Sequence, residues 1–356
     1  MDRALFLPDR IWQWDMVDKT STCTDKTVSA SDWYAAADSN TPLVTQWDDG
    51  RHTGTAAGGV ATSSSSMPSV VYQLLHDLDA DDGMNILDVG TGTGETSGAL
   101  THRFGPQRVT TLEVDRAVSQ HAEQRLHAAG LHPTVVVGEG AAGHRRRAPY
   151  HRVLLTFSLH HLPGALIEQT STGGLIVAPW GTHYSHANAV ARLTVTGNTA
   201  SGHFTRAVEF MESRSQRRPR IAPSDYVPPE GVQGADTSST TITDEQFAGG
   251  RYGPLPFILG LRVPGCVQAA ADKRGPSRPV WLYSLTDRSW ACAMLRDDST
   301  PARVWQSGPR RLWDEVESAY FWWAAQGSPG VERFGLTVTP GGQKIWLDDP
   351  RNTWPV

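Results

Sequence analysis

The 356-residue sequence predicts an α/β fold with a mostly parallel sheet, followed by an additional C-terminal α+β region. Three observations predict it. From residue 68 to residue 181, short apolar runs alternate with helix-length amphipathic stretches, the pattern of a parallel sheet with helices on both faces. A glycine-rich loop, "GTGTG" at residues 90–94, joins the first apolar run to the next helical stretch. After Arg220 the texture changes, and the region beyond the next Pro/Gly/Ser-rich stretch holds eight of the thirteen tryptophans.

The elements follow in order. Residues 1–60 read as irregular, rich in Asp, Ser, Thr and Gly, with scattered aromatics at Trp12, Trp14, Trp33, Tyr34 and Trp47. "PSVVYQLLHDL" is a helix, with Pro68 in its first turn and Val71, Leu74, Leu75 and Leu78 on one face. "MNILDVG" is the first parallel strand, and "ETSGALTHRFG" a helix closed by Gly105. "RVTTLEVD" is the second strand, and "AVSQHAEQRLHAAG" a helix closed by Gly130. "PTVVVGEG", "HRVLLTFS" and "GLIVAPWG" supply three more strands; "NAVARLTVTG" and "GHFTRAVEFMES" read as late antiparallel edge strands. "RIAPSDYVPPEGVQGADTSSTTITDE" reads as a linker. Beyond it, "RRLWDEVESAYFWWAAQG" is a helix with Leu312, Val316, Ala319, Tyr320 and Trp323 on one face, ended by Gly327. "RFGLTVTPGGQKIWLDDP" is a hairpin turning at Pro340, Gly341 and Gly342. The domains expected are an N-terminal substrate-side segment (1–60), a cofactor-binding domain (61–216), a linker (217–240) and a Trp-rich C-terminal domain (241–356) assigned to peptide recognition.

Composition excludes several classes. Hydrophobic residues make up 39% and charged residues 19%, a folding composition. The net charge is -5, and the only basic clusters are "HRRR" (144–147) and "SQRRPR" (215–220), which argues against nucleic acid as a partner. Cys23, Cys266 and Cys292 lie far apart, without CxxC spacing, and give neither a disulfide framework nor a zinc site. No signal-peptide pattern and no membrane-length apolar run is visible, so a soluble, cytoplasmic protein that does not engage a membrane is expected.

The glycine loop carries the chemistry. Gly90, Gly92 and Gly94, with Thr91 and Thr93 between them, let the backbone approach a ligand at a helix N-terminus. Nineteen residues after Gly94 the second strand ends in "LEVD", where Glu113 can accept from two ribose hydroxyls and Val114 follows it. A dinucleotide would want GxGxxG and a pyrophosphate seat, which Glu95 at the helix start would repel. S-adenosylmethionine carries no phosphate and a positive sulfonium, so Asp88 and Glu95 are compatible with it. Gly138, Glu139 and Gly140 end the third strand, and Glu139 can reach an adenine amino group. These features predict a class I (Rossmann-like) methyltransferase with S-adenosyl-L-methionine as cofactor and no metal, with a dinucleotide site and an unoccupied doubly wound sheet as the alternatives.

From Pro68 to Glu212 the chain resembles the protein-L-isoaspartate O-methyltransferases. The match runs through "ILDVGTGTG", "LEVD", "VVVGEGAAG", "APYHRVLLT" and "LPGALIEQTSTGGLIVAPWG", in the family's order. The family's usual "GDG" is "GEG" here. The resemblance implies that "SSSMP" replaces a Thr-x-Ser-x-Pro stretch, with Ser64, Ser66 and Pro68 in register and Ser66 as the hydroxyl that meets the reacting carboxylate. Ser65 is grouped with them on the substrate side, as are Thr156, Ser158, His160 and His161, since the family loop after the fourth strand lines the substrate pocket. A flexible linker remains the alternative for the serine run, and a solvated loop for the two histidines. "TQWDDG" (45–50) is expected near Ser66, with a simple turn at Asp48 and Asp49 as the alternative.

"VTQWDDG", "GVATSSSSMPSVV", "RFGLTVTPGGQKIWLDDP" and the Trp-rich tail are similar to a subgroup associated with ribosomally synthesised peptide natural products: lanthipeptides, lasso peptides and graspetides. That likeness implies methylation of an L-aspartate in a cyclised precursor peptide, followed by closure to aspartimide and opening to isoaspartate. The family's usual helix before a "VPR..F" motif is not seen ahead of "MDRALFLPD". Methyl transfer to an ionised carboxylate needs alignment and exclusion of water but no general base. Three functions stay open: a peptide aspartyl methyltransferase, an isoaspartate repair methyltransferase and a binding protein of the same fold without turnover.

Overall fold

The computed structural model describes residues 2–15, 20–248, 253–273, 275–298 and 300–356. The chain divides into two units: Met1–Phe157 with Leu162–Ala178 and Arg192–Ser201, and Ser158–His161 with Pro179–Ala191 and Gly202–Val356.

The first unit opens with structure where irregular chain was expected. β1 (Arg10–Asp15), β2 (Thr20–Asp25), α1 (Ala30–Asp38), β3 (Leu43–Trp47) and β4 (Ala61–Ser65) build an antiparallel sheet in the order β2-β1-β3-β4. Its strands are mostly polar, so no apolar alternation announces them. A few large side chains form the core instead: Leu7, Ile11, Trp33 and Leu43 are buried together. The Trp33 indole N–H donates to the Pro8 carbonyl at 3.1 Å, which satisfies its one polar atom.

The parallel layer follows as α2 (Pro68–Leu78), β5 (Ile86–Val89), α3 (Glu95–Phe104), β6 (Val109–Glu113), α4 (Arg116–Ala128), β7 (Thr134–Val137), β8 (Tyr150–Leu155), α5 (Gly164–Glu168) and β9 (Thr170–Gly181). Strand order is β7-β6-β5-β8-β9, and each of these pairs is parallel. β5 and β6 are buried along their whole length, as strands covered on both faces must be. The order reverses at β5, so the carboxyl ends of β5, β6 and β8 flank the crevice where ligands bind in open parallel sheets. Gly105 and Gly130 close α3 and α4 at φ 87° and 74°, in the left-handed region the sequence demanded. β10 (Asn188–Thr196) and β11 (Thr199–Val208) extend the sheet, and β9, β10 and β11 each supply residues to both units.

The second unit corrects the expected linker. Residues 221–235 lie on a sheet face, with Ile221, Tyr226, Val227, Val232 and Ala235 packed against Tyr283, Trp290 and Cys292. β12 (Asp236–Thr240) begins inside the same stretch and is an edge of a five-stranded sheet. After α6 (Asp244–Ala248) and α7 (Leu255–Arg262) come β13 (Cys266–Ala270), β14 (Ser277–Ser284), β15 (Trp290–Arg296) and β16 (Ala302–Ser307), ordered β12-β16-β15-β14-β13. α8 (Leu312–Ala325) buries Leu312, Trp313, Val316 and Ala319 in the same core as that sheet. The expected hairpin is β17 (Phe334–Thr339) with β18 (Gly342–Leu347), joined across Pro340 and Gly341, and β19 (Thr353–Pro355) pairs with β18. Among the described residues no helix is long and apolar enough to cross a membrane.

Candidate active site

The glycine loop leaves β5 and enters α3. Gly90, Gly92 and Gly94 stand at φ 97°, 54° and 91°, backbone that side chains rarely adopt. The loop is braced against the ends of two neighbouring strands. Gly90 N–H donates to the Leu112 carbonyl at 2.8 Å, and the Thr156 hydroxyl donates to the Gly90 carbonyl at 2.9 Å. A Cβ on Gly94 would stand 3.3 Å from Leu126, so the third glycine lets α3 pack on α4.

Two carboxylates lie under the loop at the ends of β5 and β6. Glu113 is 8% exposed; its oxygens accept from the N–H groups of Gly92 at 3.0 Å and Asp115 at 3.1 Å. Asp88 is fully buried. Its Oδ2 accepts from the Thr111 hydroxyl at 2.8 Å, Thr111 in turn meets the Thr91 hydroxyl at 2.7 Å, and Oδ1 has no partner. Burial holds the Asp88 carboxyl up at about 7, against the pull of the Thr111 bond and with help from the Glu113 charge. In the unfolded chain the same group ionises near pH ~4. The native state therefore binds the extra proton between those values, and Asp88 makes stability fall as pH rises through that window. Asp88→Asn is expected to flatten this fall, read as the difference in Tm of ligand-free protein between pH 5 and pH 7.5.

The serine run is a strand, not a linker, and its alternation sorts the hydroxyls. Ser63 and Ser65 of β4 point inward and are 9% and 2% exposed. Ser63 Oγ accepts from Thr45, and Ser65 Oγ donates to Glu95 at 2.5 Å. Ser64 and Ser66 are half-buried, and their hydroxyls make no hydrogen bond among the described residues. Ser65, expected on the substrate side, is thus an internal link, because strand geometry turns alternate side chains to opposite faces. The strand lies beside the loop: the Ser64 carbonyl is 3.5 Å from where a Gly92 Cβ would stand.

The remaining expected residues divide. Val114 is 37% exposed, Glu139 is exposed, and Gly138 and Gly140 are half-buried. A Cβ on Gly140 would meet Val89 at 2.9 Å, so this glycine lets the third strand's end approach the first. Thr156, expected on the substrate, is occupied with the Gly90 carbonyl. Ser158 and His160, also expected there, belong to the second unit and to its interior, at 1% and 6% exposure. Bridges from Ser158 to Glu212 and from Leu159 to Trp180 draw this segment inward. The His160 ring N–H donates from Nδ1 to the Gly181 carbonyl at 3.0 Å, and burial lowers the affinity of the ring for a second proton. His161 is exposed, with Nδ1 accepting from the Gln343 amide at 3.0 Å. "DDG" after Trp47 is a turn: the Asp48 carboxylate accepts from the N–H groups of Gly59 and Val60 at 3.0 and 2.8 Å.

Around the signalled loop and "TQWDDG" stand Leu7, Asp9, His121, Arg125 and Arg3, which had no sequence signal. A cleft of about 600 Å³ lies between Leu7 and Asp9, Thr45 and Gln46, Ser63, the loop at Gly92 and Thr93, and His121 and Arg125 of α4. Gln46 reaches across to Asp115, its amide 3.0 Å from Oδ2. Arg3, the third residue of the chain, is buried against β4. Only tertiary contact brings these segments to the loop.

The strand order, the loop at the switch point and the acid ending β6 define a class I methyltransferase α/β fold, carrying extra C-terminal antiparallel sheets. Residues 42–212, just under half of the chain, match the family model described as protein-L-isoaspartate(D-aspartate) O-methyltransferase (PCMT). Similar curated proteins are the protein-L-isoaspartate O-methyltransferases of Rhodospirillum rubrum, 37% identical over 137 residues (38% of this chain, 61% of that one), and of Methanococcus maripaludis strain C5, 37% identical over 113 residues (31% and 53%). The chain thus spans between half and two thirds of the length of these relatives. A solved protein-L-isoaspartate O-methyltransferase aligns over 88% of each chain at 16% identity, with a TM-score of 0.51, which bears on the fold alone.

Proposed function

We propose that this protein is an S-adenosylmethionine-dependent carboxyl O-methyltransferase acting on an L-aspartate of a modified, cyclised ribosomal peptide, with the ester closing to aspartimide. The observation that carries the reading is the serine strand bonded to the glycine-loop helix, with the hydroxyls of Ser64 on its other face and of Ser66 just past its end making no hydrogen bond among the described residues. The residues fit the donor. Glu113 ends its strand with each oxygen accepting one N–H and retaining a lone pair for a ribose hydroxyl.

When bound, S-adenosylmethionine supplies a methyl group activated by a positively charged sulfur. The chain's own residues hold the acceptor. An aspartate side chain is ionised at neutral pH, with a pKa of about 4, so nothing need take a proton from it. Ser66 donates to the carboxylate and fixes which oxygen faces the methyl. Ring closure needs little from the protein: the next residue's amide nitrogen attacks the ester carbonyl carbon, the C–O bond to the methoxy group breaks, and methanol leaves with the amide proton. Residues 213–356 lie outside the family segment, and their aromatic sheets support recognition of a constrained peptide. The second reading is isoaspartate repair, favoured by the names of the curated relatives.

Ser66→Ala tests the assignment. Losing one hydrogen bond to a charged acceptor costs about 1.5–3 kcal/mol. The variant is expected to lower kcat/KM for the peptide roughly 10- to 100-fold while its affinity for the donor stays within about twofold. Unchanged kinetics would remove Ser66 from the site.

A further inference from the structure

We infer that Arg3 is the positioning residue for Ser66, holding the end of the serine strand in register with the glycine-loop helix. The role assigned to Ser66 rests on the function proposed above; the anchoring rests on the contacts alone. Arg3 opens a single 3-10 turn, Arg3–Phe6, and is 7% exposed. Its Nε donates to Ser65 Oγ at 2.8 Å. Its Nη2 donates at 3.0 Å to the carbonyls of Ser65, Ser66 and Thr41, and its Nη1 to that of Ser39 at 3.0 Å and of Ala37 at 3.5 Å. Glu95, in the first turn of α3, stands 3.6 Å from Nε and accepts a hydrogen bond from the Ser65 hydroxyl. One side chain therefore ties together three segments: the turn at 37–41, the strand end at 65–66 and the helix after the glycine loop.

The sheet cannot do this work. Among the described residues β4 is an edge strand whose only ladder partner is β3, and the ladder ends at Ser65 opposite Leu43. Pro68 starts α2 two residues after Ser66, and Met67 gives that helix no side-chain cap. Ser66 thus sits in a break between strand and helix. The Arg3 bond to its carbonyl and the Asn40 side chain, which accepts from Ser69 N–H at 3.0 Å, fix the chain direction there. An arginine fork is suited to several carbonyls in different directions; a lysine is a point charge with three donors and cannot span them.

Arg3→Lys in the full-length protein tests the inference with two readouts. Hydrogen exchange followed by mass spectrometry is expected to show amides of residues 65–70 exchanging at least tenfold faster, with 109–113 unchanged. Methyl transfer to peptide is expected to lose at least tenfold in kcat, with donor affinity by calorimetry within twofold. Unchanged exchange would overturn the proposal, and so would faster exchange with unchanged kcat, which would make Arg3 a structural residue only. If the wild-type protein methylates no peptide, the proposed function fails at that control, and exchange alone decides whether Arg3 holds the segment. If Arg3→Lys does not fold, Ser65→Ala, which keeps the carbonyl bonds, gives the same readouts with an expected threefold change in each.

Discussion

Gly90→Ala is expected to abolish measurable binding of the methyl donor, a loss of at least 100-fold, and to lower Tm. Two separate effects act at this position. The backbone stands at φ 97°, where any Cβ is strained, typically by about 1–3 kcal/mol. The new methyl would also stand 2.9 Å from both the Phe157 ring and the Thr156 hydroxyl. Thr156 would then give up its bond to the Gly90 carbonyl, or the loop would lift from the strand ends that shape it. Gly105→Ala is the control. It has a similar φ of 87° but nothing within 4 Å of its Cβ, so it carries the strain without the crowding. The control should lower Tm and leave donor affinity within about threefold. Calorimetry and thermal unfolding on the two variants read both effects, and equal donor affinity in both would mean the loop is not the donor's seat.

Glu113→Gln is the second large effect. In the free protein the carboxylate already orders the loop by accepting from the N–H groups of Gly92 and Asp115. With donor present it has two lone pairs left for the ribose hydroxyls. Charge-assisted bonds are worth roughly twice neutral ones, and an amide offers one acceptor oxygen where the carboxylate had two. One amide nitrogen would face the N–H of Gly92 or Asp115, donor against donor. The expected result is donor affinity about 100-fold weaker, near 2.8 kcal/mol at 1.4 kcal/mol per decade. The peptide KM measured at saturating donor should change little.

How far the sequence reached is clearest element by element. β5 and β6 were legible because strands buried on both faces are apolar throughout, and α3 and α4 because Gly105 and Gly130 mark their ends. The loop glycines were legible because a tight turn between strand and helix needs positive φ, and Glu113 because an acid closes the second strand beside that turn. The N-terminal sheet was not. Its strands are Thr-, Ser- and Asp-rich, and its order comes from pairing and from the cluster around Trp33. The inward turn of Ser65 was not legible because four identical residues show no pattern until the strand direction is known. The burial of Ser158 and His160 was not legible, because the bridges that draw their segment inward run to Glu212 and Trp180, far along the chain. Arg3 was invisible for a related reason: a charged residue at position three reads as solvated until six acceptors converge on it.

The measurement that bears most directly on the central claim is mass spectrometry of peptides incubated with the full-length protein and S-adenosylmethionine. The set comprises a cyclised precursor peptide, its linear form, a short isoaspartyl peptide and its aspartyl counterpart. The account predicts a gain of one methyl on the cyclised peptide, followed by loss of methanol to leave a product one water lighter than the starting peptide. Methylation of the isoaspartyl peptide alone would contradict the proposed substrate and assign repair instead. Binding of the donor with no methyl gained by any peptide would contradict the enzymatic reading itself.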